Sequence, residues 1–389
     1  MKSSEKPRKS SSFQQQGEIR LKVLHVISGG ETGGSRKHVV TLLSKFPKET
    51  ATLVVFQEGP LAKEAREHHI DVRLLPQSSR YDLSVLRKLV ELIQNGRYDL
   101  LHTHGPRANL YGALIKRKIG IPWMTTIHSD PRLDFMKSGL KGFLFTRLNL
   151  WALKKIDYFF AVSERFKDNL AAFGIPKERI KTIYNGIDFN ETSPSHFLQR
   201  TDVGVNADDF VIAMVARLHP IKGHALVFEA LQSLPYRDIK LLVVGDGPLE
   251  QELKEKALEL QIEDRVKFLG FRRDIAAIYS LSDVALMASY SESFPLALLE
   301  AANERIPVIS TDVGGVRQLI ASKEMGWIVP VGDSAALTEA IKEAREKKQQ
   351  LKQMGQTLYE YASSHFSLDR LYEETIATYQ HVLEKYHQK

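Results

Sequence analysis

Residues 20–188 alternate short runs of β-branched and aliphatic residues with stretches of helical periodicity, and after them the alternation starts afresh. RLKVLHVIS, ATLVVF, VRLLP, YDLLHTH, PWMTTIH and YFFAVS have strand character, whereas SRKHVVTLLSKF and DLSVLRKLVELIQN repeat their apolar residues at helical spacing. Nearly continuous apolar strands are buried on both faces, and strands interleaved with helices pair in parallel, so the pattern specifies a doubly wound α/β sheet. After YNGIDFNETSPSH come DFVIAMVARL, IKLLVVGDG, VKFLG, VALMAS, PVISTDV and GWIVP, again with helical stretches between them. The break falls in Asn185–Ser195, which carries Gly, Asn, Asp and Pro. The expected organisation is a disordered tail at 1–17, a Rossmann-like domain at 18–188, a second at 189–370, and a terminal helix at 371–389 packing back toward the first domain. Ligands of such sheets bind beyond the carboxyl ends of the strands. His25, His104, His128, Ser163, Arg217 and Asp246 stand at those ends and are expected to face the cleft between the domains.

Composition narrows the functional classes. The chain has 389 residues and no cysteine, so disulfides and thiolate metal sites are excluded, which fits a reducing compartment. No apolar run approaches the roughly 18 residues of a membrane span, and MKSSEKPRKSSSFQQQGE lacks the apolar centre of a signal peptide. The net charge of +7 is unevenly placed: residues 1–188 carry 32 Lys and Arg against 18 Asp and Glu, the remainder 22 against 29. A basic first half suits an anionic acceptor, an anionic membrane surface or nucleic acid, and equally a merely solvated face. The chain has no aromatic-basic nucleic-acid motif, so nucleic acid is not expected as a partner.

Several stretches have the chemistry of an anion site. GGETGGSRKHVV at 29–40 is neither the G-x-G-x-x-G dinucleotide fingerprint nor a Walker A loop, because Gly34 precedes Ser35. It is a glycine-rich turn into a helix, serving either a φ > 0 requirement or, with Gly33, Gly34, Arg36 and Lys37, an anion at the helix N-terminus. ARLHPIKGH sets Arg217 and Lys222 five residues apart before a helix, and a guanidinium and an ammonium converging there suit a diphosphate. VVGDGPLE, with Gly245, and FLGFRRDI, with Arg272 and Arg273, supply base and ribose contacts or loop punctuation. ESFPLALLE fixes Glu292 and Glu300 eight positions apart, about 80° around a helix and so not on one face. Pro295 suits a helix start, which leaves Glu292 in a loop and Glu300 more than a turn into the helix.

Taken in order, the GG loop, NGID (185–188), R-L-x-x-x-K-G (217–223), VVGDGP (243–248), FLG, E-x7-E and TDVGG (311–315) resemble the family-four retaining glycosyltransferases of the glycogen-synthase-like and mannosyltransferase-like group. The resemblance covers nearly all of residues 20–385. It implies a GT-B fold of two Rossmann-like doubly wound parallel-sheet domains facing across a cleft, and a nucleotide-diphosphate sugar, most simply a UDP-sugar, as co-substrate with no other cofactor. It implies that Glu292 lies by the transferred sugar, that the backbone of Phe294, Leu296 and Ala297 meets the sugar hydroxyls and distal phosphate, and that Glu300 accepts the ribose hydroxyls. It further implies that His128 points at the sugar and that Arg80, His104 and Arg107 lie on acceptor loops. Ser293 stands where the family often has glycine. There is no D-x-D or comparable metal-ligand cluster, so no metal is expected.

Residues 136–155, MKSGLKGFLFTRLNLWALKK, interleave Phe143, Phe145, Leu148, Leu150, Trp151 and Leu153 with Lys137, Arg147, Lys154, Lys155 and Lys141. This is either a helix packed on the first sheet or a basic amphipathic helix lying in an anionic membrane surface. The sequence therefore reads as a cytoplasmic, metal-independent retaining hexosyltransferase, peripheral at the inner face of the membrane. Its expected acceptor is a cell-envelope or extracellular polysaccharide intermediate, a glycan or a lipid-linked one. The rival readings are a sugar-nucleotide epimerase of the same fold and a catalytically inactive carbohydrate-binding protein; intact Arg217, Lys222, Glu292 and Glu300 oppose the second.

Overall fold

The structure, a computed structural model, describes residues 21–31, 33–77, 79, 82–129, 139–190 and 198–388. The tail at 1–17 and Arg80 therefore lie outside the described residues, as do Lys137 and the side chain of Lys141.

Seven parallel strands build the first sheet: β1 (Val23–Ile27), β2 (Ala51–Val55), β3 (Asp71–Leu74), β4 (Leu100–His104), β5 (Trp123–Ile127), β6 (Tyr158–Ala161) and β7 (Ile180–Thr182). Their spatial order is β3-β2-β1-β4-β5-β6-β7. Six more build the second: β8 (Phe210–Val215), β9 (Ile239–Val244), β10 (Val266–Gly270), β11 (Val284–Met287), β12 (Val308–Thr311) and β13 (Gly326–Val329), in the order β10-β9-β8-β11-β12-β13. The central strands β1, β4, β5, β8 and β11 are buried almost throughout, as continuous apolar runs between two helical layers must be. Each sheet reverses its direction of winding at one place, β1/β4 in the first and β8/β11 in the second. A crevice opens at such a reversal, because the helices that follow the two strands leave to opposite faces. The residues after those four strands are therefore the ones positioned to form a site.

β7 has no counterpart among the strands expected from sequence. IKT is three residues long with one buried position, too short to show a period. Beyond the second domain the chain returns. Helix Leu351–His365 leads into the C-terminal helix Leu368–His387, which Ser367 caps by accepting from the N–H of Arg370. That last helix lays Leu371, Tyr379 and Val382 against Leu42, Leu100, Met124 and Phe160 of the first domain. The crossing is sewn to the interdomain segment: Ile187 N–H donates to Phe366 O, and Leu368 N–H to Ile187 O.

Candidate active site

The site in the second domain is built around one turn. β11 ends at Met287, and Ser289 through Pro295 form a loop that enters helix Leu296–Asn303. Pro295 stands at the N-cap, one position before the expected first turn, and no side chain caps the helix. Leu298 N–H donates to Pro295 O at 3.2 Å, and the helix start carries the positive end of the helix dipole, so an anion is favoured there. Phe294 is buried against Tyr184 and Phe366, with ring centroids 5.3 and 4.9 Å away, and Leu296 is also core. These residues can offer backbone groups only.

Two glycines explain how the loop is held. Gly314 has φ +51°, and a Cβ there would lie 2.3 Å from Ser293 O and 2.5 Å from Glu292 O. A Cβ on Gly315 would lie 2.2 Å from the Phe294 ring, and its N–H donates to Ser293 O at 3.0 Å. TDVGG is thus the floor on which the Glu292 loop rests. Asn185, in NGID, ties the same loop to the interdomain segment by donating to Phe294 O at 3.2 Å.

Glu292 accepts from Ser289 Oγ at 2.8 Å and from Lys222 Nζ in a close ion pair. Lys222 lies on the single turn Pro220–Lys222 that follows β8, and Tyr290 N–H anchors that turn by donating to Ile221 O. Arg217 is exposed at the end of β8, beside Gly245, whose Cβ would meet Ala216 O at 2.2 Å. Arg217, Lys222, Glu292 and the start of helix Leu296–Asn303 therefore gather at the β8/β11 reversal. Arg272 is committed elsewhere, forming a bidentate pair with Asp274.

Glu300 faces the first domain. Its carboxylate pairs with Lys37 of helix Gly34–Ser44, a contact across the domains. The two line a cavity of about 660 Å³ with Thr41, Asp188, Asn190 and Arg273. The glycine-rich loop is not an open anion cradle. Glu31 fills it from within, accepting from Ser28 N–H at 3.1 Å and Gly29 N–H at 2.6 Å, while Arg36 pairs with Glu64. Gly33 and Gly34 are exposed at the helix start, and the φ of +77° at Gly33 accounts for a glycine there without a ligand.

The first domain contributes imidazoles. His25 on β1 and His102 on β4 are neighbours in register, and His104 lies two residues further on the same face. His25 and His102 are 0 % exposed and His104 is 1 %. Contrary to expectation, neither His25 nor His104 faces the cleft, because both are buried. His104 instead contacts His128, Nδ1 to Nε2 at 3.2 Å, and only His128 is part-exposed. Burial lowers the pKa of His25 to about 3 and that of His38 to about 4, and holds His102, His104 and His128 well below 6.5, so all five rings are neutral near pH 7. His25, His102 and His104 bring nitrogens within 4.8 Å of one another. Their rings are stacked or tilted, however, at 15°, 21° and 34°, and their nitrogens are engaged in hydrogen bonds. A chelated metal needs lone pairs converging on one point, so this cluster is a hydrogen-bonded stack.

Arg107 is held by Gln77 and stacks near Phe56 and Tyr111 at the end of β4. Ser163 caps helix Glu164–Ala172 by accepting from Phe166 N–H and is fully buried, so its role is structural, and Asp246 is exposed. Helix Gly139–Leu153 packs one face on helix Pro106–Ile119. It leaves Phe143 (63 % exposed), Leu144 and Trp151 outward together with Arg147, Lys154 and Lys155. The segment is thus a helix packed on the first domain, with apolar and basic residues on its outward side. Among the described residues no helix is long and apolar enough to cross a membrane.

Residues 32–191 match the family described as Glycosyltransferase Family 4, and residues 196–361 match Glycosyl transferases group 1. The chain is 28% identical over 317 residues to N-acetyl-alpha-D-glucosaminyl L-malate synthase of Bacillus anthracis, covering 78% of this chain and 80% of that protein. It is 26% identical over 346 residues to the UDP-Gal:alpha-D-GlcNAc-diphosphoundecaprenol alpha-1,3-galactosyltransferase of Escherichia coli, covering 85% and 89%. Its fold superposes on that of Anabaena HepE, solved in complex with UDP, with a TM-score of 0.82 at 25% identity, over 92% of this chain and all of that one. The two reversal points, the linking segment and the returning C-terminal helix are thus those of the GT-B architecture, and the chain belongs to the family-four glycosyltransferases.

Proposed function

We propose that the protein is a cytoplasmic retaining glycosyltransferase that moves a sugar from UDP to a cell-envelope or extracellular polysaccharide intermediate carried on a lipid diphosphate. The observation that carries the reading is the convergence of Arg217, Lys222, Glu292 and the uncapped start of helix Leu296–Asn303 at the β8/β11 reversal, with Glu300 across the helix at an interdomain cavity. UDP comes from the HepE likeness, and a diphosphate-linked lipid acceptor from the E. coli relative. The basic first half and the outward apolar-basic face of helix Gly139–Leu153 fit such an acceptor at an anionic membrane.

The chemistry follows from charge. As the bond from the anomeric carbon to the diphosphate oxygen breaks, negative charge grows on the leaving group. Arg217, Lys222 and the helix N-terminus stabilise it, with no metal ion invoked. The acceptor hydroxyl attacks from the face the diphosphate leaves, and its proton passes to the departing phosphate oxygen, so the anomeric configuration is kept. Glu292, held by Lys222 and Ser289, serves the sugar, Glu300 serves the ribose, and His128 faces the sugar from the first domain. Lys222 neutralises Glu292, and an arriving diphosphate shares that cation. Arg217→Ala and Lys222→Ala test the reading. Each removes a charge-assisted contact of about 1.5–3 kcal/mol, so kcat/KM for a UDP-sugar falls tenfold or more. Unchanged kinetics in both would overturn it.

A further inference from the structure

The buried imidazoles form a single hydrogen-bonded chain that passes through a hydroxyl far away in sequence. Thr126 Oγ1 lies 2.8 Å from His102 Nε2, and His102 Nδ1 lies 2.5 Å from the Tyr379 hydroxyl. That hydroxyl is 3.5 Å from His25 Nε2. His25 Nδ1 is then 3.1 Å from His104 Nε2, and His104 Nδ1 is 3.2 Å from His128 Nε2. Tyr379 sits at the centre of the C-terminal helix and is fully buried.

A neutral imidazole carries one N–H and one lone pair, and a phenol has one proton to give. Every ring in this chain uses both nitrogens inward except His128, so the protons can be ordered in only two ways. In one, Tyr379 donates to His25, and all four histidines are Nδ1–H tautomers. In the other, Tyr379 donates to His102, and all four are Nε2–H tautomers. The second order gives all four rings the Nε2–H tautomer that a free neutral imidazole prefers, which selects it.

We propose that Tyr379 is a positioning residue: by donating to His102 it holds His102, His25, His104 and His128 in the Nε2–H tautomer and leaves His128 with a bare Nδ1 for the cleft. This rests on the reading of His128 as the sugar-facing group, and it sharpens that reading. A bare Nδ1 accepts a hydrogen bond from a sugar hydroxyl and has nothing to offer a phosphate oxygen or a carboxylate. The subsite is therefore selective for a hydroxyl at that position of the donor sugar. Its selectivity is fixed by the helix that returns from the second domain.

The test is ¹⁵N NMR of the full chain labelled at histidine, with rings assigned by single substitutions. In the wild type at pH 7.5 the shifts of His25, His102, His104 and His128 are expected to report Nε2–H throughout. An Nδ1–H tautomer at any of the four would overturn the proposal, and this arm needs no variant to fold. Tyr379→Phe, which keeps the ring and removes the hydroxyl, is expected to produce mixed tautomers at His25, His104 and His128. It should lower kcat about three- to tenfold, the worth of one neutral hydrogen bond, with KM for the UDP-sugar within about twofold. A folded Tyr379→Phe protein with wild-type tautomers would also overturn it. Unchanged turnover in His128→Ala would instead contradict the sugar-facing role of His128, while the tautomers still decide the role of Tyr379.

Discussion

Gly314→Ala tests whether the position of Glu292 matters, because the three atoms nearest to an added Cβ all belong to that loop. Two costs follow from the geometry. At φ +51° an alanine is strained by about 1 kcal/mol. Its Cβ would also stand 2.3 Å from Ser293 O and 2.5 Å from Glu292 O, both backbone atoms that cannot rotate away. Relieving those contacts to ordinary van der Waals distance moves the Glu292 loop by about 1 Å, and overpacking of this kind costs about 1–3 kcal/mol of stability. A 1 Å misplacement of a group beside the reacting atoms costs on the order of 100-fold in rate. Gly120→Ala is the control: its φ is +62°, but nothing lies within 4 Å of the added Cβ. It should lose only the strain energy and keep full activity. The measurements are urea unfolding and kcat/KM on the same preparations. A folded Gly314→Ala protein with activity within twofold of wild type would refute the argument that TDVGG exists to place Glu292.

Glu300→Gln is expected to weaken binding of UDP about tenfold by calorimetry, whereas Lys37→Ala leaves it equal or tighter, since the ribose would displace Lys37 from the carboxylate. Tenfold weaker binding in Lys37→Ala alone would give the nucleotide to the lysine. Stability should fall steeply on acidification from pH 7 to 5. His25, His38 and His224 have folded pKa values lowered to about 3, 4 and 4, so below about 6.5 the unfolded chain binds more protons than the folded one, and each fully buried ring contributes up to about 1.4 kcal/mol per pH unit. A melting temperature flat between pH 5 and 7 would contradict the neutral stack. Wild type should co-sediment with anionic liposomes at low salt, and the Phe143→Ser, Trp151→Ser, Lys154→Glu, Lys155→Glu protein should not. Equal pelleting of the two would leave helix Gly139–Leu153 as a packed helix only.

The strands and their parallel pairing were legible because burial on both faces writes continuous apolar runs into the sequence. β7 was not, since three residues carry no period. Within the site, spacing put Glu292 in a loop and Glu300 inside a helix, and the structure has both there. What pairs with each was hidden. Lys37 stands beside the glycine loop in sequence and looked like part of an anion cradle, yet it reaches across 263 residues to Glu300, and Glu31 fills the loop instead. A histidine at the end of a strand reads as a cleft residue. His25 and His104 are interior because they satisfy each other's nitrogens together with His128 and Tyr379, and no local pattern announces a partner 354 positions away.

The most direct test of the account follows one turnover. The protein is incubated with a UDP-α-hexose and a polyprenyl-diphosphate-linked sugar in EDTA, and the new glycosidic bond is read by ¹H NMR. The account predicts release of UDP, transfer undiminished by the chelator, and a product with the α configuration of the donor. A β product, or activity that returns only with added Mg²⁺ or Mn²⁺, would contradict it.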